Sequence, residues 1–258
     1  MRPREAAPFG RAMAEIDADA RDSDVPVLLA RAVLWLPAVG TLALMATFAH
    51  RPLFRAVLTE DGVLEWLQVV AICGAAVGGG VAARRYARRS VPTAVLFAGF
   101  VLIMLAGVGE EISWGQRIFG WSTPEGLEEI NHQGETNLHN ITTDVDAQLI
   151  FNLMQLAAGL AGSVLPWLTR TSSPLLRSSV LRAVSPPLFT STGFALLAAY
   201  RVIRFFVPST VTAAVKMGEW AELCFAISLC FLGFAAARAA GRAAVAPLDV
   251  PRTDPAAR

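Results

Sequence analysis

The chain has a single lysine, Lys216, and every other basic residue is arginine. It has 3 histidines, His50, His132 and His139, and 3 cysteines, Cys73, Cys224 and Cys230. The cysteines lie inside apolar runs, are odd in number and form no CxxC pair, which excludes a disulfide framework and a thiolate metal site as readings. Cys224 and Cys230 read instead as small apolar side chains. The formal net charge is only +1. Without a strong positive field a nucleic-acid partner is not expected. Charged residues make up 17% of the chain, and the region before residue 27 lacks the basic-then-apolar order of a cleaved signal peptide.

What is present is apolar length. Hydrophobic residues are 54% of the 258 and the mean hydropathy is +0.49. Six runs approach the roughly 20 apolar residues that cross a bilayer as a helix: Val27–Ala49, Gly62–Ala83, Val91–Ile112, Val145–Leu168, Pro187–Val207 and Ala213–Ala237. The expected fold is all-α: a polytopic, six-transmembrane-helix bundle over residues 27–240. A tail, 1–26, precedes it and another, 241–258, follows. Met13–Ala20 would form at most a short surface helix in an otherwise disordered tail. Pro37 is placed to kink the first span. Gly74 and Gly78 form a GxxxG in the second, which suits close helix contact and is matched by chance in a segment this rich in Gly and Ala.

Arginines set the expected orientation. Arg84, Arg85, Arg88 and Arg89 lie between spans two and three, Arg170, Arg177 and Arg182 between four and five, and Arg238 and Arg242 after six. The positive-inside rule assigns these regions and both termini to the cytoplasm. The loop 109–144 is then on the outer face, with short interfacial helices of which one covers Glu125–Asn131. Trp114 and Trp121 would sit at headgroup depth.

That loop begins GEEISWGQRIFGWSTPEGLEEINHQGETNLHN over Gly109–Asn140. It sets six glutamates against one base, Arg117, and carries two of the histidines and a dense set of amides. A connector needs only a few turn residues, so the inventory points to a polar site. The spans agree. Glu65 and Gln68 share a face of the second, Glu110 and Glu111 end the third, and Gln148, Asn152 and Gln155 form one stripe on the fourth. Arg201 with Arg204, and Glu219 with Glu222, are each i, i+3 near one end of the last two spans. Ionisable groups in a membrane cost roughly 2.5–3.5 kcal/mol each on insertion scales and are expected to face inward and pair. Arg201 and Arg204 would pair with Glu219, Glu222, Glu110 or Glu111. A packing layer of ion pairs and a cavity open to the outer leaflet both fit this pattern.

The catalytic candidates are Glu111, His139 and Glu219. The substrate-binding candidates are Arg117, Asn152, Arg201, Arg204 and Glu222. Glu135 and His139 would share a face if the segment were helical. With Glu111 they would then offer a carboxylate–imidazole set for a divalent metal, which is the one cofactor considered. The spacing is neither HExxH nor the ExxH of di-iron bundles. Ser113 lacks an elbow or SxxK context and reads as a helix-end hydroxyl.

EDGVLEWLQ over 60–68 and the long motif over 109–140 resemble segments of an uncharacterised family of bacterial multi-pass membrane proteins. The resemblance implies a bacterial inner-membrane location and no activity. Arginine in place of lysine, with heavy alanine use, agrees with a GC-rich bacterial source. Glu110–Ser113 is similar to the ExxS element of ceramidase-like membrane hydrolases, whose HxxxH histidines are absent here. Three readings follow. The first is an enzyme acting on a membrane lipid or lipid-linked substrate by acid–base or metal-assisted chemistry. The second is a non-catalytic subunit whose outer loop docks a protein partner. The third is an ion-coupled transporter, ranked last because no repeat is visible.

Overall fold

A computed structural model describes residues 8–58, 62–131, 135–137, 141, 147–170, 178–207 and 212–245. The described residues are helical, with a single isolated bridge between Asn131 and Ile141 and no strand. The helices are α1 (Pro8–Asp22), α2 (Val27–Thr47), α3 (Arg51–Val57), α4 (Val63–Tyr86), α5 (Val91–Glu111), α6 (Gln116–Phe119), α7 (Glu125–Glu128), α8 (Ala147–Leu168), α9 (Ser179–Val184), α10 (Ser191–Phe206) and α11 (Thr212–Val245).

Five of them, α2, α4, α5, α8 and the Val215–Arg242 stretch of α11, are long and apolar enough to cross a membrane. The sixth expected span differs. There the α-helix is α10, 16 residues long, or about 24 Å at the helical rise. A 3₁₀ turn over Leu188–Thr190 precedes it. Pro186 and Pro187 cannot donate to a helix, so the chain enters α10 late. A count of six crossing helices is therefore not shown by helix length.

The outward faces explain where this bundle lives. Leu28, Leu42, Val70, Leu102 and Met154 are more than half exposed. α5, with a mean hydropathy of 2.4 in its most apolar window, has only 17% of that window buried. Apolar faces of this extent require a non-aqueous surround; the protein is an integral membrane protein of the multi-helix class.

The inward faces are small. α4 packs most extensively on α11, α5 packs on α4, α8 on α10, and α10 on α11 and α2. α4 and α11 run parallel. Gly74 approaches Cys230 and Gly78 approaches Gly233. Further along, Arg85 donates to the Ala237 carbonyl at 2.6 Å and Arg89 to that of Ala240. The GxxxG of α4 is thus a contact face. Ile72, Ala75 and Ala76 close the centre with Met104, Phe194 and Leu229. In α2, Pro37 lies inside the helix without ending it, and the Trp220 indole donates to the Thr41 hydroxyl at 3.2 Å.

α1 is longer and better packed than the sequence suggests. Ile16, Ala20 and Val25 are buried with Ala30, Leu34, Leu188 and Phe189. Asp19 accepts from the Leu188 amide at 2.6 Å and pairs with Arg170. Burial pushes the Asp19 carboxyl above the ordinary value of 3.8, against the opposing pull of Arg170 and the Leu188 amide. In Arg170→Leu that opposing charge is gone, so the native state holds the proton more tightly still. A raised carboxyl stabilises the fold below the unfolded pKa, and that stabilisation is lost as pH rises through the folded value. The melting temperature of Arg170→Leu in detergent is expected to fall from about pH 4 to about pH 8 more steeply than that of the wild type. Parallel curves would show that Arg170 does not govern Asp19.

Candidate functional site

Helix pairing gathers the expected polar residues at one end of the bundle. α5 runs antiparallel to α4, which brings Glu111 to Gln68: the Gln68 amide donates to the carboxylate at 2.5 Å. α8 runs antiparallel to α10, which brings Gln155 to Arg201. Arg201, only 7% exposed, also pairs with Glu222 of α11. The expected Arg–Glu contact is therefore made by Arg201 and Glu222. Arg204 donates to the Val207 carbonyl at 2.9 Å.

The α8 stripe faces the protein. Gln148 donates to Asn152 at 3.2 Å, and both are half-buried while their neighbours Leu149 and Leu153 are exposed. Glu111 lies within electrostatic range of Glu222, Glu65, Glu219 and Arg117, so residues from α4, α5, α11 and the following loop share one layer.

The loop is anchored to that layer by an unusual reversal. α5 ends at Glu111. Ser113, Trp114 and Gly115 then take left-handed backbone, with φ of 46°, 52° and 96°. Such conformations cost about 1–3 kcal/mol each for residues other than glycine and persist only where surroundings hold them. Here Ser113 is fully buried and donates to Glu135 at 2.8 Å, while the Trp114 indole donates to Glu110 at 2.7 Å. The reversal aims Arg117 back at the bundle, where it pairs with Glu65 of α4 and with Glu135 at 3.3 Å. Glu110 accepts from the Trp114 indole and Glu111 from the Gln68 amide.

Gln116 clips the loop together. It accepts from the Thr136 amide at 2.7 Å and donates to Thr123 at 3.0 Å. Asn131 donates to the Asn137 carbonyl at 2.8 Å, beside its bridge to Ile141. The expected interfacial helix exists but is short, Glu125–Glu128, with Pro124 as its N-cap residue. Trp114, Phe119 and Trp121 remain about half exposed or more, and the last two stack at 5.3 Å.

Glu135 lies in a bend and not on a helix, so it does not share a helix face with His139. His139 and His132 lie outside the described residues. Glu135 takes donors from Ser113, Asn137 at 2.9 Å and Arg117, all of which a cation would have to displace. Among the described residues no group of three or more His, Cys, Asp or Glu is arranged to hold a metal ion.

Sequence reasoning missed the Glu65–Arg117–Glu135 bridge and the Ser113–Glu135 bond. The signal available was the lone base in an acidic loop, which had to find carboxylates somewhere.

The fold and this layer define a helical integral membrane protein with a charged layer buried at one end. No protein-family model matches the chain, and no curated protein or solved structure is significantly similar to it.

Proposed function

We propose that this layer is a membrane-embedded acid–base site acting on a lipid or lipid-linked substrate. The observation that carries the reading is Glu111. Among the described residues its donor is the Gln68 amide and not a guanidinium, and three other carboxylates lie within electrostatic range. Glu65, Glu135 and Glu222 are each committed to an arginine. A carboxylate left out of that pairing is the group best able to exchange a proton with a substrate. The Gln68 carbonyl oxygen beside it is buried without a hydrogen-bond partner, and a buried acceptor of this kind costs about 1–3 kcal/mol unless a donor arrives.

In this reading Glu111, with Glu219 and His139, handles protons. Arg117 and Arg201, held in place by their carboxylates, turn their remaining N–H groups to an anionic headgroup, with Asn152, Arg204 and Glu222 around them. The loop 109–144 covers the site from the outer face of a bacterial cytoplasmic membrane, and both termini lie inside. Arginine connections at the opposite end support that orientation.

The test is lipid turnover. The protein, reconstituted in vesicles of bacterial polar lipid extract, is followed by mass spectrometry of the lipids over time. One species is expected to disappear with the wild type, and Glu111→Gln is expected to slow that loss about a hundredfold or more while melting normally. An unchanged lipid profile with the wild type would overturn the reading. The second reading then stands: the exposed Trp114, Phe119 and Trp121 rim as a docking surface for a protein partner.

A further inference from the structure

At the end of the bundle away from Glu111 there is a cavity of about 420 Å³, lined by residues of α1, α9, α11, the end of α8 and the entry to α10. Three arginines line it from three different parts of the chain: Arg170 after α8, Arg182 on α9 and Arg242 on α11. Two carboxylates, Asp19 and Asp22, line it as well, so the lining charge is positive by one. The Thr169 and Ser185 hydroxyls and a floor of Ala236 and Ala239 complete it.

We propose that this cavity binds a phosphate-bearing anion, either a lipid headgroup or free phosphate. Arg170 and Arg242 are positioned by the protein itself. Arg170 donates to the Pro166 carbonyl at 2.6 Å and to Asp19. Arg242 donates to Asp24 at 2.8 Å. A guanidinium carries more N–H groups than these bonds use, and Arg170, whose fork is held by two partners, presents the remainder without further loss of freedom. Two or three guanidiniums around one cavity match a tetrahedral oxyanion better than a carboxylate, which a single fork satisfies. Apart from Arg242, the α11 side of the lining is made of small side chains, Ala236 and Ala239 among them, which leaves room for bulk.

The position fits a lipid source as well as a soluble one. The cavity sits at the level where Arg85 and Arg89 of α4 cross to α11, which adds two further guanidiniums to this end of the bundle. A basic pocket between membrane helices at such an end is the arrangement that recognises anionic headgroups. The Asp19 carboxylate is turned to the Leu188 amide and to Arg170, while Arg182 and Arg242 line other walls of the cavity together with Asp22.

The experiment uses the full chain in nanodiscs. One set of discs is phosphatidylcholine alone and another contains phosphatidic acid; inorganic phosphate is titrated into the first. Thermal melting is the readout, with sulfate-free buffer throughout. The melting temperature is expected to rise with phosphatidic acid, with inorganic phosphate, or with both. Phosphatidic acid alone identifies the headgroup as the source, and a rise with inorganic phosphate identifies the free anion. Arg182→Gln with Arg242→Gln should weaken the response, by about tenfold in the half-saturating concentration for each guanidinium removed. Ala239→Leu tests the same space without touching charge, by filling the floor, and should also abolish the rise. Two results overturn the proposal: no rise with either ligand in the wild type, or an undiminished rise in Ala239→Leu and in the arginine double variant.

Discussion

Arg201→Leu is expected to destabilise the protein by about 3–5 kcal/mol, the cost of leaving a buried charge without its partner. The guanidinium is 7% exposed and joins α8, α10 and α11 through Gln155 and Glu222. Once it is gone, Glu222 remains in the layer beside Glu111 without the base that pairs with it. Glu222→Leu should be comparably costly, because Arg201 would keep the neutral Gln155 oxygen and the Tyr200 ring face but no carboxylate partner from α11. The double variant Arg201→Leu with Glu222→Leu should recover much of the loss, since two apolar side chains of similar volume need no desolvation. The measurement is a double-mutant cycle by thermal melting in detergent. Strictly additive losses would show that the two charges act independently and that the layer is not a unit.

The crossing of α4 and α11 should tolerate no side chain. A Cβ on Gly78 would stand 2.7 Å from the backbone of Gly233, and one on Gly233 would stand 2.8 Å from the Ala75 carbonyl oxygen. Both obstacles are backbone, which cannot rotate away. Gly78→Ala must push the helices apart along the most extensive interface in the bundle, and overpacking of this kind costs about 1–3 kcal/mol. Gly78→Leu should exceed that and block folding. Gly80, two residues on, has nothing within 4 Å of an added Cβ. Gly80→Ala should therefore be neutral or slightly stabilising, as alanine favours a helix over glycine by about 1 kcal/mol. Equal melting temperatures for Gly78→Ala and Gly80→Ala would show that the helices do not meet where the structure brings them together.

Much of this was legible in the residues. Helix positions were, because an apolar run of about 20 residues has few alternatives in lipid; α2, α4, α5 and α8 begin and end within three residues of the expected limits. The gathering of polar residues at one end was also legible. A charge inside an apolar run is expensive wherever it falls, so the places where Glu65, Glu111, Arg201 and Glu222 interrupt their runs mark a common depth. The choice between Arg201 and Arg204 as the partner of Glu222 was not. Residues three apart differ in direction by a fraction of a turn, and helix rotation decides which one faces α11.

The loop was least legible. Its composition announced a polar site, but the three left-handed residues Ser113–Gly115 turn Arg117 away from the neighbouring Glu110 and Glu111 and toward Glu65, about fifty positions earlier in the chain. No local rule assigns that backbone to serine and tryptophan, whose own preference is against it. It persists because contacts from distant segments hold it. The cavity at the other end was hidden for a related reason. Arg170, Arg182 and Arg242 were visible as orientation signals, but they lie on three separate elements, and Asp19 belonged to a tail with no expected contact. By itself the sequence determined an all-helical membrane chain and the depth of its charges, because transfer energy acts on each residue where it stands. Only the tertiary structure decided which charges meet, because pairing depends on the rotation and crossing of helices, and those are set by close contacts such as Gly78 on Gly233.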